Sequence, residues 1–243
     1  MRRAAIANSF GAEVHTDVYG PCEPLSLGGR KFFVTFTDDH TRYTRLEILR
    51  TMDQAFDAYK AFVAWVQTRH GVHVKRLRCD RGGKLPAGHE LTKYLREQGT
   101  ERRLTMVDAP QHNGLAVLLN HWLYGRIRAM LHQANLPKTL WAEAAHFTVW
   151  LKNRMSTQIP GYITPYERLY GEKPDLGSVP EWGQYVWVNN PARSDSEFPM
   201  DSQATEARWV GFDANNIHAH RVYWPGRNCV TVEQNVSFAS AAY

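Results

Sequence analysis

The sequence predicts an α/β fold, a mixed five-stranded sheet flanked by helices and followed by a small, mostly β module. Three observations predict it. Short runs of β-branched and aromatic residues, bounded by Gly, Pro and Asp turns, fill residues 14–49. Segments of helical period then alternate with single short strands as far as residue 153. Beyond residue 184 the chain returns to brief strand-like runs split by turns. The 243 residues allow one large domain, or one with a small satellite. The expected boundaries are 1–155 for the core, 156–183 for a Pro- and Gly-rich linker with short helical turns, and 184–243 for the β module.

Val14–Val18 reads as a strand ended by the Gly20-Pro21 turn. Gly28-Gly29 leads into Phe32–Phe36, Asp38-Asp39-His40 turns the chain, and Tyr43–Leu49 returns, so these three strands are expected to pair antiparallel. Residues 52–70 carry Ala55, Phe56, Tyr59, Phe62, Val63 and Val66 at helical spacing, closed by Gly71. Val74–Cys79 is a short strand with Asp80 at its carboxyl end and Gly82-Gly83 as the loop beyond. Glu90–Gln98 is a helix closed by Gly99, and Arg103–Val107 is the fifth strand. Leu115–Leu131 is a long amphipathic helix whose expected buried stripe is Leu115, Leu118, Leu119, Trp122, Leu123, Ile127, Met130 and Leu131. Gly125 interrupts it at a cost of about 1 kcal/mol relative to Ala. Pro137 opens the next helix, 138–153, whose buried face uses Trp141, Ala144, Ala145, Thr148 and Val149. In the tail, Tyr185–Val188, Ala207–Phe212, Ala219–Trp224 and Val230–Glu233 are strands, with Pro225-Gly226-Arg227-Asn228 as a hairpin turn. Trp182, Trp187, Trp209 and Trp224 are its expected core; stacking of nucleic-acid bases is the other use such side chains have.

A composition of 43% hydrophobic and 12% aromatic residues supplies a real core and excludes a disordered chain. The three scattered cysteines, Cys22, Cys79 and Cys229, exclude a disulfide scaffold and give no Cys₂His₂ zinc spacing. No apolar run approaches the ~18 residues of a transmembrane helix, so no membrane partner is expected. The opening MRRAAIANSFG lacks a hydrophobic run, so no signal peptide and a reducing intracellular compartment are expected. The 29 Lys and Arg against 24 Asp and Glu, a net charge of +5 and pI of 9.1, lean weakly toward a polyanionic partner. Gly28-Gly29 and Gly82-Gly83 lack the flanks of a nucleotide-binding loop, and no GxSxG is present.

Asp17 on the first strand and Asp80 at the end of a later one are the candidate catalytic and metal-ligating pair. Should these strands be neighbours, their carboxylates meet in the crevice beyond the strand ends. Hard Mg²⁺ or Mn²⁺ takes such oxygen ligands, and a metal pair can activate water and stabilise the leaving oxygen in phosphodiester chemistry. Aspartate is also a common turn residue, and a structural role stands beside the chemical one. Asp38-Asp39 is read as a strand-end turn.

Four segments, HTDVYGP (15–21), FFVTFTDDHTRYTRLEIL (32–49), RCDRGG (78–83) and PQHNGLA (110–116), resemble the integrase core of Ty1/copia-type retrotransposons, in the retroviral integrase superfamily. LWAEAAHFTVWLKNR (140–154), TPYERLYGEKPDL (164–176), WVGFD (209–213) and VYWPGRNCVTVEQNVSF (222–238) resemble the region downstream of that core. The resemblance covers roughly residues 10–240. It implies an RNase H-like fold, an SH3-like tail module, and an Asp–Asp–Glu metal triad that cuts and joins DNA. Asp17 matches the first acid and Asp80 the second. The third acid of the pattern falls where this chain has Val117. Lys84 stands where an acid follows the two glycines, and Arg81 where the family has Asn.

Valine has no oxygen with which to ligate a cation. Residues three or four positions away on the same helix, Asn113, Gly114, Asn120 and His121, include no carboxylate, and no Asp or Glu occurs between Asp108 and Glu143. His121 could ligate a metal, though imidazole suits softer ions than Mg²⁺; a surface or partner contact is its other reading. Arg81 and Lys84 would neutralise the two aspartates or contact phosphate. Arg126 and Arg128, with Lys138 nearby, form either a nucleic-acid-binding stripe or a solvated helix face. Together with Asn113, these are the candidate nucleic-acid contacts. The expected function is a catalytically inactive, retrotransposon-derived scaffold that binds nucleic acid or protein. No cofactor is expected in the resting protein, and Mg²⁺ or Mn²⁺ if activity remains. Its expected partners are DNA or RNA, a second copy in a homodimer, and a host chromatin protein, in the nucleus or otherwise the cytoplasm. A metal-dependent integrase or nuclease with a reduced site and a pure protein-interaction module are the alternatives.

Overall fold

The computed structural model describes residues 6–79, 89–104, 114–156, 162–189, 204–214, 216 and 218–238. The chain forms two compact units, Met1–Arg126 with Thr148–Pro174, and Ile127–Phe147 with Asp175–Tyr243.

In the first unit, β1 (Val14–Tyr19), β2 (Phe32–Asp38), β3 (Thr44–Leu49), β4 (Arg76–Cys79) and β5 (Glu101–Leu104) form one sheet in the order β3-β2-β1-β4-β5. The first three strands pair antiparallel, β2 and β3 across a short turn and β1 and β2 across the loop of residues 20–31. β4 lies parallel to β1, and β5 parallel to β4. Parallel neighbours need crossovers; α1 (Gln54–His70) lies in the first and α2 (His89–Glu97) in the second. This is the mixed, RNase H-like sheet that the sequence predicts. Alternation along β1 sends Val14 and Val18 into a core with Val34, Phe36 and Leu77, where they meet Tyr59, Phe62, Val63 and Val66 of α1 and Leu91 and Leu95 of α2. His15, Asp17 and Tyr19 occupy the alternate positions. The spaced stripe of α1 is the buried one, with Phe56 partly buried at its margin. Gly71 ends that helix at φ 63°, its N–H donating to the Gln67 carbonyl.

Asp38 and Asp39 build the turn between β2 and β3. The Asp38 carboxylate accepts from the Thr41 amide (2.7 Å), the Thr41 hydroxyl (2.8 Å) and the Gly11 amide (2.9 Å). Asp39 accepts from the Ala7 amide at 2.6 Å and lies 2.8 Å from Arg42 and 3.2 Å from His15. Burial pushes Asp39 up, but the bonds from His15 and the Ala7 amide and the charge of Arg42 outweigh it and bring the carboxyl to about 2.

Two elements differ from expectation. The fifth strand starts at Glu101 rather than Arg103, because Glu101 pairs with Arg76 at the head of β4; its described part ends at Leu104, and 105–107 lie outside the described residues. α3 (Gly114–Gln133) exists where expected but buries Ala116, Asn120, Leu123, Ile127 and Leu131. Leu118 and Trp122, expected inside, are exposed. Steps of four, three, four and four residues keep the observed line on one face, and its second member is the polar Asn120, so selecting apolar residues alone picks the wrong stripe.

A 3₁₀ turn (Lys138–Leu140) leads into α4 (Trp141–Arg154), which buries the five residues predicted for it. α5 (Pro165–Tyr170) is one of the short helical turns expected of the linker. The Thr164 hydroxyl caps it by accepting from the Glu167 amide at 3.0 Å.

In the second unit, β6 (Tyr185–Asn189), β7 (Ala204–Phe212), β8 (His220–Trp224), β9 (Cys229–Glu233) and β10 (Val236–Phe238) form a small antiparallel sheet in the order β10-β6-β7-β8-β9. The turn at 225–228 joins β8 to β9. Trp182, Trp209 and Trp224 are buried, and the Trp182 indole N–H donates to the Val210 carbonyl at 2.9 Å. Trp187 is not core: Val186 and Val188 point inward, so the residue between them points out. Arg221 donates two bonds to Glu143, at 2.6 and 2.8 Å.

Edge strand β3 is tied down from α4. Asn153 accepts from the Thr44 amide at 2.9 Å and donates to the Thr44 carbonyl at 2.8 Å, imitating a strand neighbour. Beside it, the Lys152 ammonium donates to the Arg42 carbonyl, the Thr44 hydroxyl (2.7 Å) and the Asn153 carbonyl oxygen (3.5 Å), all neutral acceptors. Burial, helped by the charge of Arg42, lowers Lys152 from 10.5 to about 7. Between those values the unfolded chain binds a proton that the folded chain has released, so stability rises with pH across that window. Urea unfolding at pH 7 to 9 is expected to show a rise of at most about 1.4 kcal/mol per pH unit from this group. Lys152→Met should flatten the slope, and an equal slope in the variant would remove Lys152 as its source.

Candidate functional site

The site is built on the face of the sheet away from α1. Asp17, near the end of central strand β1, is half-buried and lies opposite Thr35 of β2. Antiparallel partners project to the same face, and α3 brings Asn120 between them. The Asn120 amide nitrogen donates to Asp17 Oδ2 at 2.9 Å, and its carbonyl oxygen accepts from the Thr35 hydroxyl at 3.1 Å. A carboxylate only accepts, so the bond to Asp17 fixes which way the amide points. Asn120 is 1% exposed and Thr35 is fully buried. Nearby, Tyr19 stacks on Phe33 with ring centroids 5.1 Å apart and tilts against Tyr124 at 5.2 Å.

Val117 sits one helical turn before Asn120 on α3 and is 38% exposed. Residues three apart share a helix face, so position 117 lies one turn from the buried Asn120. A carboxylate with one oxygen engaged by an amide still has lone pairs for a cation, but Val117 adds no donor. Among the described residues the site offers one carboxylate, Asp17, beside the neutral oxygens of Asn120 and Thr35. Among the described residues, no group of three or more His, Cys, Asp or Glu is placed to hold a metal. Asp80, Arg81, Lys84 and Asn113 lie outside the described residues.

His121, Arg126 and Arg128 are exposed on α3, with the Arg126 guanidinium 5.4 Å from the centre of the Trp122 ring. The structure joins Asn120 to Asp17 and sets Val117, His121, Arg126 and Arg128 at exposed positions of the same helix. Sequence reasoning named Asn120 only as a neighbour of position 117 without a carboxylate. Its signal was its place at a buried interval between Ala116 and Leu123.

No protein-family profile matches the chain. It is 39% identical over 226 residues to the retrovirus-related Pol polyprotein from transposon TNT 1-94 of Nicotiana tabacum, a match covering 93% of this chain and 17% of that protein. It is 26% and 25% identical, over 201 residues in each case, to the Pol polyproteins from transposons RE2 and RE1 of Arabidopsis thaliana, covering 82% of this chain and 13% of each. The chain therefore spans less than a fifth of these relatives' length. Among solved structures it is similar to a chain of the simian T-cell lymphotropic virus intasome in complex with PP2A regulatory subunit B56 gamma. That likeness has a TM-score of 0.55 and 13% identity, over 100% of this chain and 84% of that one. At this identity the likeness shows the fold alone.

Removing the Asn120 amide leaves the buried Thr35 hydroxyl unpaired. Asn120→Ala is expected to lower unfolding stability by about 1–3 kcal/mol. Adding Thr35→Val should cost less than it does alone, because its partner has gone. Strict additivity in urea titrations would show that the two residues are not coupled.

Proposed function

Because this chain is an integrase-like relative of the Ty1/copia-type transposon Pol polyproteins, we propose that it is a retrotransposon-derived integrase core that no longer cuts or joins DNA and serves as a scaffold for nucleic acid or protein. The observation that carries this reading is Val117. By the resemblance it stands at the place of the third acid, three residues before the Asn120 that donates to Asp17.

Asp17 and Asp80 are the remnant of the triad in this reading. Its support is the register of two parallel neighbours: His15 of β1 pairs with Arg78 of β4, and each lies two residues before an aspartate. Two carboxylates without a third bind Mg²⁺ or Mn²⁺ weakly, since affinity follows the charge and number of oxygen ligands. The resting protein carries no metal in this reading. If an ion binds, Asp17 and Asp80 hold it, and it would supply Lewis-acid stabilisation of a phosphodiester oxygen.

Arg81, Lys84, Asn113, His121, Arg126 and Arg128 are proposed as contacts to phosphate and base edges, supported at His121, Arg126 and Arg128 by their exposure on one helix. The small antiparallel sheet is proposed to be SH3-like. Homodimerisation, contact with a host chromatin protein and nuclear residence complete the reading.

The deciding assay incubates the protein with Mn²⁺ and labelled DNA ends. Neither end processing nor joining is expected. Joining that Asp17→Asn abolishes would overturn the reading in favour of a metal-dependent nuclease with a reduced site. Val117→Glu restores a third carboxylate and is expected to tighten Mn²⁺ binding in titration calorimetry by about tenfold or more; no change would show that position 117 does not face the ion. Duplex DNA binding, read by anisotropy, is expected to weaken by about tenfold or more between 50 and 200 mM salt, as counterion release at a few phosphates requires. A flat profile would exclude the phosphate contacts.

A further inference from the structure

Two large apolar side chains stand on the outward face of α3, among the polar ones a helix on a sheet ordinarily shows there. Leu118 is 70% exposed and Trp122 37% exposed one turn later. Gly125 follows them on the same face. An added Cβ there would meet nothing within 4 Å, and its φ is not positive. Among the described residues nothing therefore requires a glycine there, although glycine weakens a helix interior. A glycine with no internal reason, in line with Leu118 and Trp122, fits the close approach of another helix. Val117 borders the same face.

Charge selects the occupant. From Gly114 to Gln133 the helix carries Arg126 and Arg128, His121 and His132, and no acid. A second copy of this helix would bring like charges together and supply no carboxylate, so a symmetric pairing is disfavoured. Nucleic acid would satisfy the arginines but gains nothing from an aliphatic side chain as exposed as Leu118. An amphipathic helix with apolar residues at i, i+3 or i+4, and i+7, flanked by Asp and Glu, uses both features.

We infer that the Leu118–Trp122–Gly125 face of α3, flanked by Arg126, docks an acidic amphipathic helix of a partner protein. The inference rests on the scaffold reading and specifies its protein-binding surface. Leu118 and Trp122 anchor the apolar stripe, Gly125 admits the partner backbone, and Arg126, held against the Trp122 ring, meets the acidic flank.

The test displays a library of random 18-residue peptides and selects it against the full chain, with the Leu118→Gln variant as counter-selection bait. Leu118→Gln removes the apolar anchor without changing charge, and its unfolding midpoint should match the parent chain. Enrichment is expected for helical peptides with the i, i+3/i+4, i+7 apolar spacing and an excess of Asp and Glu. A selected peptide should lose at least tenfold in affinity against Leu118→Gln, Gly125→Gln and Arg126→Glu, and keep its affinity against Lys93→Gln, an exposed substitution on α2. No enrichment, or enrichment of neutral or basic peptides, would overturn the inference. So would binders indifferent to Leu118→Gln. A 20-nucleotide DNA measured on the same variants separates the two readings. Undiminished DNA binding with no selected peptide sinks this surface and leaves the scaffold reading intact, whereas Mn²⁺-dependent joining of DNA ends sinks the scaffold reading itself.

Discussion

The amide of Asn120 sets the rotation of α3, and through it the character of the site. It is buried, donates to Asp17 on β1 and accepts from Thr35 on β2, and so joins a helix to two neighbouring strands. Ala116 and Leu123, in line with it, are buried on the same face. The amide bonds oppose rotation of the helix, because it would strand a buried polar group. In this orientation Leu118 and Trp122 face solvent.

The first unit was most legible where one physical rule acted alone. β1 to β3 alternate because one face packs on α1, and the α1 stripe is apolar throughout, so period 2 and period 3.6 were both readable. Legibility failed where a polar residue took a core position. Asn120 breaks the apolar run of α3, and a rule that counts hydrophobic residues then shifts to Leu118 and Trp122. β6 failed in the opposite sense: Trp187 is large and apolar yet lies between two inward valines. In the site, motif order made Asp17 and Val117 visible, but no sequence pattern said that Asp17 had a partner on α3. That partnership depends on the β1–β2 register and on the helix lying across it, which no local window contains.

Buried polar clamps recur. Asn153 completes the edge of β3, Asp38 and Asp39 gather the turn before it, and Arg221 with Glu143 joins a helix to the sheet of the second unit. Such bonds add modest net stability when made and cost more when broken. Their effect is to make one arrangement of the elements better satisfied than its neighbours, while apolar burial drives collapse. Asp39, brought to about 2 by its partners, illustrates the logic: its carboxylate gathers the Ala7 amide, Arg42 and His15 around the turn.

The same logic changes what Asp17 signifies. An aspartate matching a catalytic motif is ordinarily taken as a sign of catalysis. Here its carboxylate also accepts from the amide of the buried Asn120, so an apolar replacement would leave that donor unpaired. A structural demand of that kind favours Asp17 whether or not DNA is ever cut. Position 117 carries no such demand. It is 38% exposed, so packing restricts it less than the buried Ala116 and Asn120 on either side of it. The residue at 117 therefore reports on chemistry more cleanly than the aspartate does, and the residue there is a hydrocarbon.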